Sequence, residues 1–211
     1  ITETDPIFGV SVASGITGTD TANWNNKQDT LTAGTGISIV GNTISATGNS
    51  GSFTHYVGEL FGGGIVVGVW KESGVEHGLI ASVTNLSTSA PYSSVTDSLI
   101  GALAQSSTDG QINTTAIIAQ GDVSGAAFLC DTYSSGGFSD WYLPAAWELN
   151  QCYNAAFVVN TVLGTNSFQP APYWSSTETY TFMAYYAQFD FGDTNFDDKF
   201  VNLWVRAVRR F

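Results

Sequence analysis

The sequence predicts an α+β fold preceded by a short β-rich segment, and three observations carry this reading. Strand-like text occurs early, at 64–70 and 78–83, and again after Pro172. Segments of helical spacing lie between these runs, an order that suits sheets with helices segregated from them. Composition also changes near residue 50, from Thr, Gly, Asn and Ser to globular text that begins at Phe53. A length of 211 residues suits one domain with an extension, or two small domains. With 43% hydrophobic and 11% charged residues the chain can build a core.

Within residues 1–50, Gly36-Ile37-Ser38-Ile39-Val40-Gly41-Asn42-Thr43-Ile44-Ser45-Ala46 alternates apolar and polar residues around Gly-Asn, which predicts a hairpin. Its Ile37, Ile39 and Ile44 face needs a cover, and in so short a piece sister chains provide one most simply. Residues 47–52 read as a flexible linker. In the second part, the strands at 64–70 and 78–83 are joined by a turn within 71–77, and Gly62-Gly63-Gly64 reads as a bend or a close strand contact. A short helix is expected over 96–105. Two more are expected around 113–118 and 126–130, interrupted between Gly121 and Gly125. Pro144 suits the first turn of a further helix, whose Trp147, Asn150 or Gln151, and Asn154 lie about one turn apart.

The net charge of −12, from 18 acids and six bases, argues against nucleic acid or an anionic membrane as partner. No run reaches the roughly 18 apolar residues of a membrane span, and no signal-peptide pattern opens the chain. Ile1 in place of an initiator Met points to a fragment of a longer protein. Cys130 and Cys152 are not spaced for a redox or zinc motif, so two buried thiols and one disulfide both stay open.

Several motifs carry a resemblance. Residues 56–67, opening Tyr56-Val57-Gly58-Glu59, then Glu76-His77-Gly78-Leu79-Ile80-Ala81, Asp140-Trp141-Tyr142-Leu143-Pro144 with Glu148-Leu149, Tyr173-Trp174-Ser175-Ser176-Thr177-Glu178, and Val205-Arg206-Ala207-Val208-Arg209 occur in order along residues 53–211. Together they resemble the C-type-lectin-like domains of phage tail fibres and bacterial surface proteins. The resemblance implies small twisted antiparallel sheets with two or three helices over 51–211, and a ligand-binding role. Asn23-Trp24-Asn25-Asn26-Lys27, with Thr4-Asp5-Pro6-Ile7-Phe8 and Ser11-Val12-Ala13-Ser14-Gly15-Ile16-Thr17, is similar to repeats of tail-fibre shafts, which implies a homotrimeric shaft over 1–50.

The segment 173–211 is also similar to the variable region of proteins diversified by retroelements. There, adenine-directed mutagenesis rewrites AAC-type codons, which never yield Trp, Met, Gln, Lys or Glu. Met183, Gln188, Lys199 and Trp204 are therefore read as fixed. The stretches between them hold almost only permitted types. The interchangeable ligand contacts are thus Thr179, Tyr180, Thr181, Phe182, Tyr185, Tyr186, Asp190, Phe191, Asp193, Thr194, Asn195, Phe196, Asp197, Asp198, Phe200, Val201, Asn202 and Leu203. Tyr and Phe supply rigid contact area, and Asn, Asp and Thr supply adaptable hydrogen bonds. Core burial accounts for part of the aromatic set, Phe189 most clearly.

Other chemistry is thin. Asp190, Asp193, Asp197 and Asp198 offer oxygen ligands for calcium, but no Asp-x-Asp-x-Asp-Gly loop supports it, and solvated loop acids are the better reading. No nucleotide, nucleophile-elbow or zinc motif is present, His55 and His77 have no catalytic partner nearby in sequence, and no enzyme is expected. An oxidase that shares the lectin-like fold uses a cysteine pair, which Cys130 and Cys152, in expected helices, do not resemble. Trp141, Trp147 and Trp174 read as core or hydrogen-bonded framework, and Arg206, Arg209 and Arg210 as partners of buried acids such as Glu178 or Asp140. The leading expectation is a phage tail-fibre tip on the virion that binds a host-surface glycan or protein. A bacterial surface adhesin or lipoprotein, or a non-binding fibre cap, stands as the alternative.

Overall fold

The computed structural model describes residues 15–28, 32–34, 37–41, 43–46 and 52–211. The chain divides into two compact units, Ile1–Ser52 and Phe53–Phe211. In the first unit, α1 (Gly18–Gln28) is followed by the hairpin of β1 (Ile37–Val40) and β2 (Thr43–Ala46). The hairpin falls where the alternation and Gly-Asn place it. Val40 pairs with Thr43, Ile39 with Ile44, and Gly41 sits at φ +58, where a side chain would be strained. The helix α1 is an element that the expected β-rich segment did not include. Asp20 accepts from both the amide and the hydroxyl of Thr17, and the Thr17 hydroxyl accepts from the Asp20 amide, so a capping box starts α1. No Gly or Pro follows until after Gln28. The shaft-like residues 1–14 and the linker residues 47–51 lie outside the described residues.

The second unit is α+β, with two sheets and three α-helices. The first sheet joins β3 (Leu60–Phe61), β4 (Gly64–Glu72), β5 (Val75–Ala81) and β11 (Val208–Arg210), all antiparallel, in the order β11-β5-β4-β3. The turn expected within 71–77 is tighter than that, with Ser73 and Gly74 both at positive φ and Glu72 paired with Val75. At the Gly62–Gly64 bend, a Cβ on Gly63 would stand 2.3 Å from the Ser135 carbonyl oxygen, so close backbone packing requires glycine there. Alternation along β4 sends Val66 into one core cluster and Ile65 and Val67 into the other, so this sheet is covered on both faces.

The second sheet has the order β6-β10-β7-β8-β9, formed by β6 (Ser87–Ala90), β7 (Pro172–Tyr180), β8 (Met183–Gln188), β9 (Asp193–Asp198) and β10 (Leu203–Val205). It departs from the all-antiparallel expectation, because β10 runs parallel to β7 through Trp204 and Tyr173. Residues 199–202 carry the chain from the edge strand β9 past β8 to the far side of β7.

The helices are α2 (Gly110–Gln120), α3 (Ala126–Asp131) and α4 (Ala146–Leu163). Asp109 caps α2 by accepting from the Ile112 amide, and Gly121, at φ 118, closes it. Pro144 stands just ahead of α4 instead of in its first turn. Ala145 is the N-cap, and its amide donates to the Glu148 carboxylate. Residues 96–105 do not form the expected α-helix but a loop with one 3-10 turn, Ala102–Ala104. Glu178 explains this: its carboxylate takes the Ile100 and Gly101 amides, and Gly101 lies at φ 81.

Candidate functional site

The candidate contacts sit on the meander β7–β8–β9 and the turn that follows it. Register divides them between two faces. Tyr185 pairs with Phe196 and Ala187 with Thr194 on one face, while Tyr186 pairs with Asn195 and Ala184 with Asp197 on the other. On the first face the Phe196 ring stands 6.4 Å from Tyr180 and 6.3 Å from Tyr185, both edge-on, which makes an aromatic cluster. This face adjoins α4, where the Thr194 hydroxyl donates to Asn150 at 3.1 Å. On the second face Tyr186 packs edge-on against Trp174 and lies near Asp190, Asp193 and Asp197. Burial, followed by those carboxylates, raises the Tyr186 hydroxyl above its ordinary pKa.

Exposure selects among the aromatics. Tyr180 is 66% exposed, Phe182 56%, Phe191 80%, Phe196 46% and Phe200 63%. Tyr180, Phe182 and Phe200 gather at one end of the meander, where the Lys199 amide bonds the Phe182 carbonyl. Phe191 and Asp190 occupy the turn at the other end of β8, about 20 Å away for a six-residue strand. That turn is docked, since a Cβ on Gly192, at φ 79, would stand 2.5 Å from the Tyr153 hydroxyl. Asp193, Thr194, Asn195 and Asn202 are also exposed, while Thr179, Thr181, Asp197, Asp198 and Val201 are half-buried. Leu203 is not a surface contact. It is buried in the core beside Trp174 and Val205 and pairs with Ala90, so its side chain faces inward from β10.

A polar framework beneath the surface fixes these positions. Lys199 and Glu178 are both fully buried and pair at 2.6 Å. Lys199 also donates to the Ser98 carbonyl, and Glu178 gathers the amides of Ile100 and Gly101. Lys199 therefore takes the acid expected for an arginine. Arg209 meets Asp140 through two bonds of 2.7 and 2.9 Å and holds that carboxyl below its usual range. Arg210 pairs with Glu148 at 2.6 Å. Arg206 bonds the Ser82 and Ser167 carbonyls and the Ser167 hydroxyl and lies over the Phe168 ring, so serine oxygens and not an acid are its partners.

Trp141 and Trp174 are buried, and their indole N–H groups bond carbonyls at Phe138 and Ala90. Trp147 is not framework: it is 63% exposed, because the inward stripe of α4 runs through Leu149, Cys152, Ala155 and Val159. The possible disulfide does not form. Cys130 and Cys152 are free and lie in separate core clusters. Burial raises both thiols, that of Cys152 to about 12. His55 bonds Glu59 at 2.9 Å and packs on Phe61 and Phe211. Among the described residues no group of three or more His, Cys, Asp or Glu side chains gathers to hold a metal, and no helix is long and apolar enough to cross a membrane. Sequence reasoning passed over Tyr153 and the Ser98–Gly101 loop as supports of this surface, since neither carries a local signal.

No protein-family model matches the chain, and no curated protein does. A crystal structure of a fimbrial protein from Bacteroides ovatus is similar to it at a TM-score of 0.47 and 18% identity, over 62% of this chain. The chain spans 35% of the length of that protein.

Proposed function

We propose that this chain is a recognition protein: a C-type-lectin-like domain whose 173–211 segment presents a diversified ligand-contact surface, carried at the tip of a phage tail fibre. Its ligand is a glycan or protein of the host surface. One observation carries the reading. The residue types that adenine mutagenesis cannot produce, Glu178, Met183, Gln188, Lys199 and Trp204, are all buried or half-buried, whereas the intervening Tyr180, Phe182, Phe191, Phe196 and Phe200 are exposed. Five exposed aromatics within 180–200 are hard to explain in a surface that binds nothing. The acids around them favour a basic or polyhydroxylated ligand. In the first unit, the exposed Ile37 and Ile44 on one face of the hairpin support self-association, here as a homotrimer.

The gene tests diversification. A near-identical repeat beside a reverse-transcriptase gene, with mismatches confined to adenines, is the expected finding, and a 3′ end without such a repeat overturns it. The surface is tested by adsorption of the labelled chain to a panel of intact bacterial strains. Joint replacement of Tyr180, Phe196 and Phe200 by Ala abolishes adsorption while the unfolding transition is kept. Undiminished adsorption by that variant refutes the assignment.

A further inference from the structure

Between β4 and the first turns of α4 lies an open cleft of about 610 Å³, lined by Gly68, Trp70, Glu72, Trp147, Gln151 and Arg210 among others. Gly68 and Trp70 share one face of β4, and Trp147 and Gln151, four residues apart, share one face of α4. Strand and helix approach each other at the buried Gly68, which packs on the Gln151 side chain. A Cβ there would touch the Gln151 side chain at 3.6–4.0 Å, an ordinary contact, so a larger side chain would press on Gln151.

Two indoles border this cleft without being buried, Trp147 at 63% and Trp70 at 38% exposure. Trp70 stacks on His77, with ring centroids 6.1 Å apart. The polar lining is preset. The Arg210 guanidinium is held by Glu148 at 2.6 and 3.0 Å and by the Thr108 carbonyl. Asp109 and Glu72 add carboxylates and Gln151 an amide.

We infer that this cleft is a second binding site, which takes a neutral pyranose ring of a surface oligosaccharide. An indole face suits the apolar C–H face of a sugar, and the guanidinium, amide and carboxylates suit its hydroxyls. Three carboxylates, Glu72, Asp109 and Glu148, against one guanidinium, on a chain of net charge −12, disfavour phosphate and acidic sugars. The ionic lining disfavours a wholly apolar ligand. The cleft shares no residue with the proposed contacts of the meander. The inference therefore stands or falls separately from the proposed function.

A glycan microarray carrying neutral and acidic oligosaccharides tests the inference, probed with the full chain and four variants. Wild type labels neutral glycans. Trp147→Ala and Trp70→Ala weaken that labelling by about tenfold or more, and Gly68→Leu, which displaces the Gln151 side chain from the cleft wall, abolishes it. Phe196→Ala leaves it unchanged. Near-UV circular dichroism checks that each variant is folded, and Trp147→Ala changes an exposed residue. Absence of neutral-glycan labelling, labelling confined to acidic glycans, or labelling indifferent to the cleft variants overturns the inference. Labelling lost with Phe196→Ala and kept by the cleft variants assigns the sugar to the meander instead.

Discussion

Lys199 shows what a single residue contributes to this surface. It stands between the half-buried Asp198 and the exposed Phe200, yet its own side chain is fully buried on Glu178. Removal of one partner leaves a buried charge uncompensated, so Lys199→Met costs about 3–5 kcal/mol in urea unfolding, and adding Glu178→Gln recovers part of the loss. A more favourable outcome for the single variant would show that the pair is dispensable. Leu203→Ala opens a core cavity and costs about 2–5 kcal/mol. Phe191→Ala, on a side chain 80% exposed, stays within about 0.5 kcal/mol of wild type. The same denaturation series separates the two classes. The inward turn of Leu203 was not legible in the sequence, because β10 pairs it with Ala90, far away in sequence.

At the scale of elements, local chemistry was readable and tertiary pairing was not. The Gly-Asn hairpin and the interruption between α2 and α3 follow from turn and cap residues, and all occur. The loop over 96–105 is not helical because Glu178, on a distant strand, captures its amides. Trp147 reads as framework along with Trp141 and Trp174 because it shares their motif region, yet the period of α4 turns it outward. The closing strand β11 is tied to the 138–141 loop by Arg209 and Asp140. The Asp140 carboxyl is held low in the folded chain, so its stabilisation is present above the unfolded pKa of about 3.9 and is lost as pH falls through the lower folded value. Asp140 is partly exposed, so the bridge contributes at most about 1 kcal/mol. The stability gap between wild type and Asp140→Asn should therefore narrow as pH is lowered past that range. A gap that persists in acid would mean that the guanidinium acts through packing on Phe138, over which it lies.

For the whole molecule, the two units call for different tests. Phe53–Phe211 holds both core clusters, so it is expected to unfold cooperatively when produced alone. Light scattering then asks whether residues 1–52 carry the proposed trimerisation: the full chain should be trimeric and the shorter one monomeric. A monomeric full chain would remove the shaft from the reading. The main chain of β8 and β9 is held by a ladder of six paired positions that does not depend on which side chains it bears. Trp174, Glu178 and Lys199 are buried beneath that ladder, whereas Tyr180, Phe182, Phe191, Phe196 and Phe200 face water. A synthetic library randomised at Tyr180, Phe182, Phe191, Phe196 and Phe200 would consequently sort its members by what they bind, with little loss to misfolding.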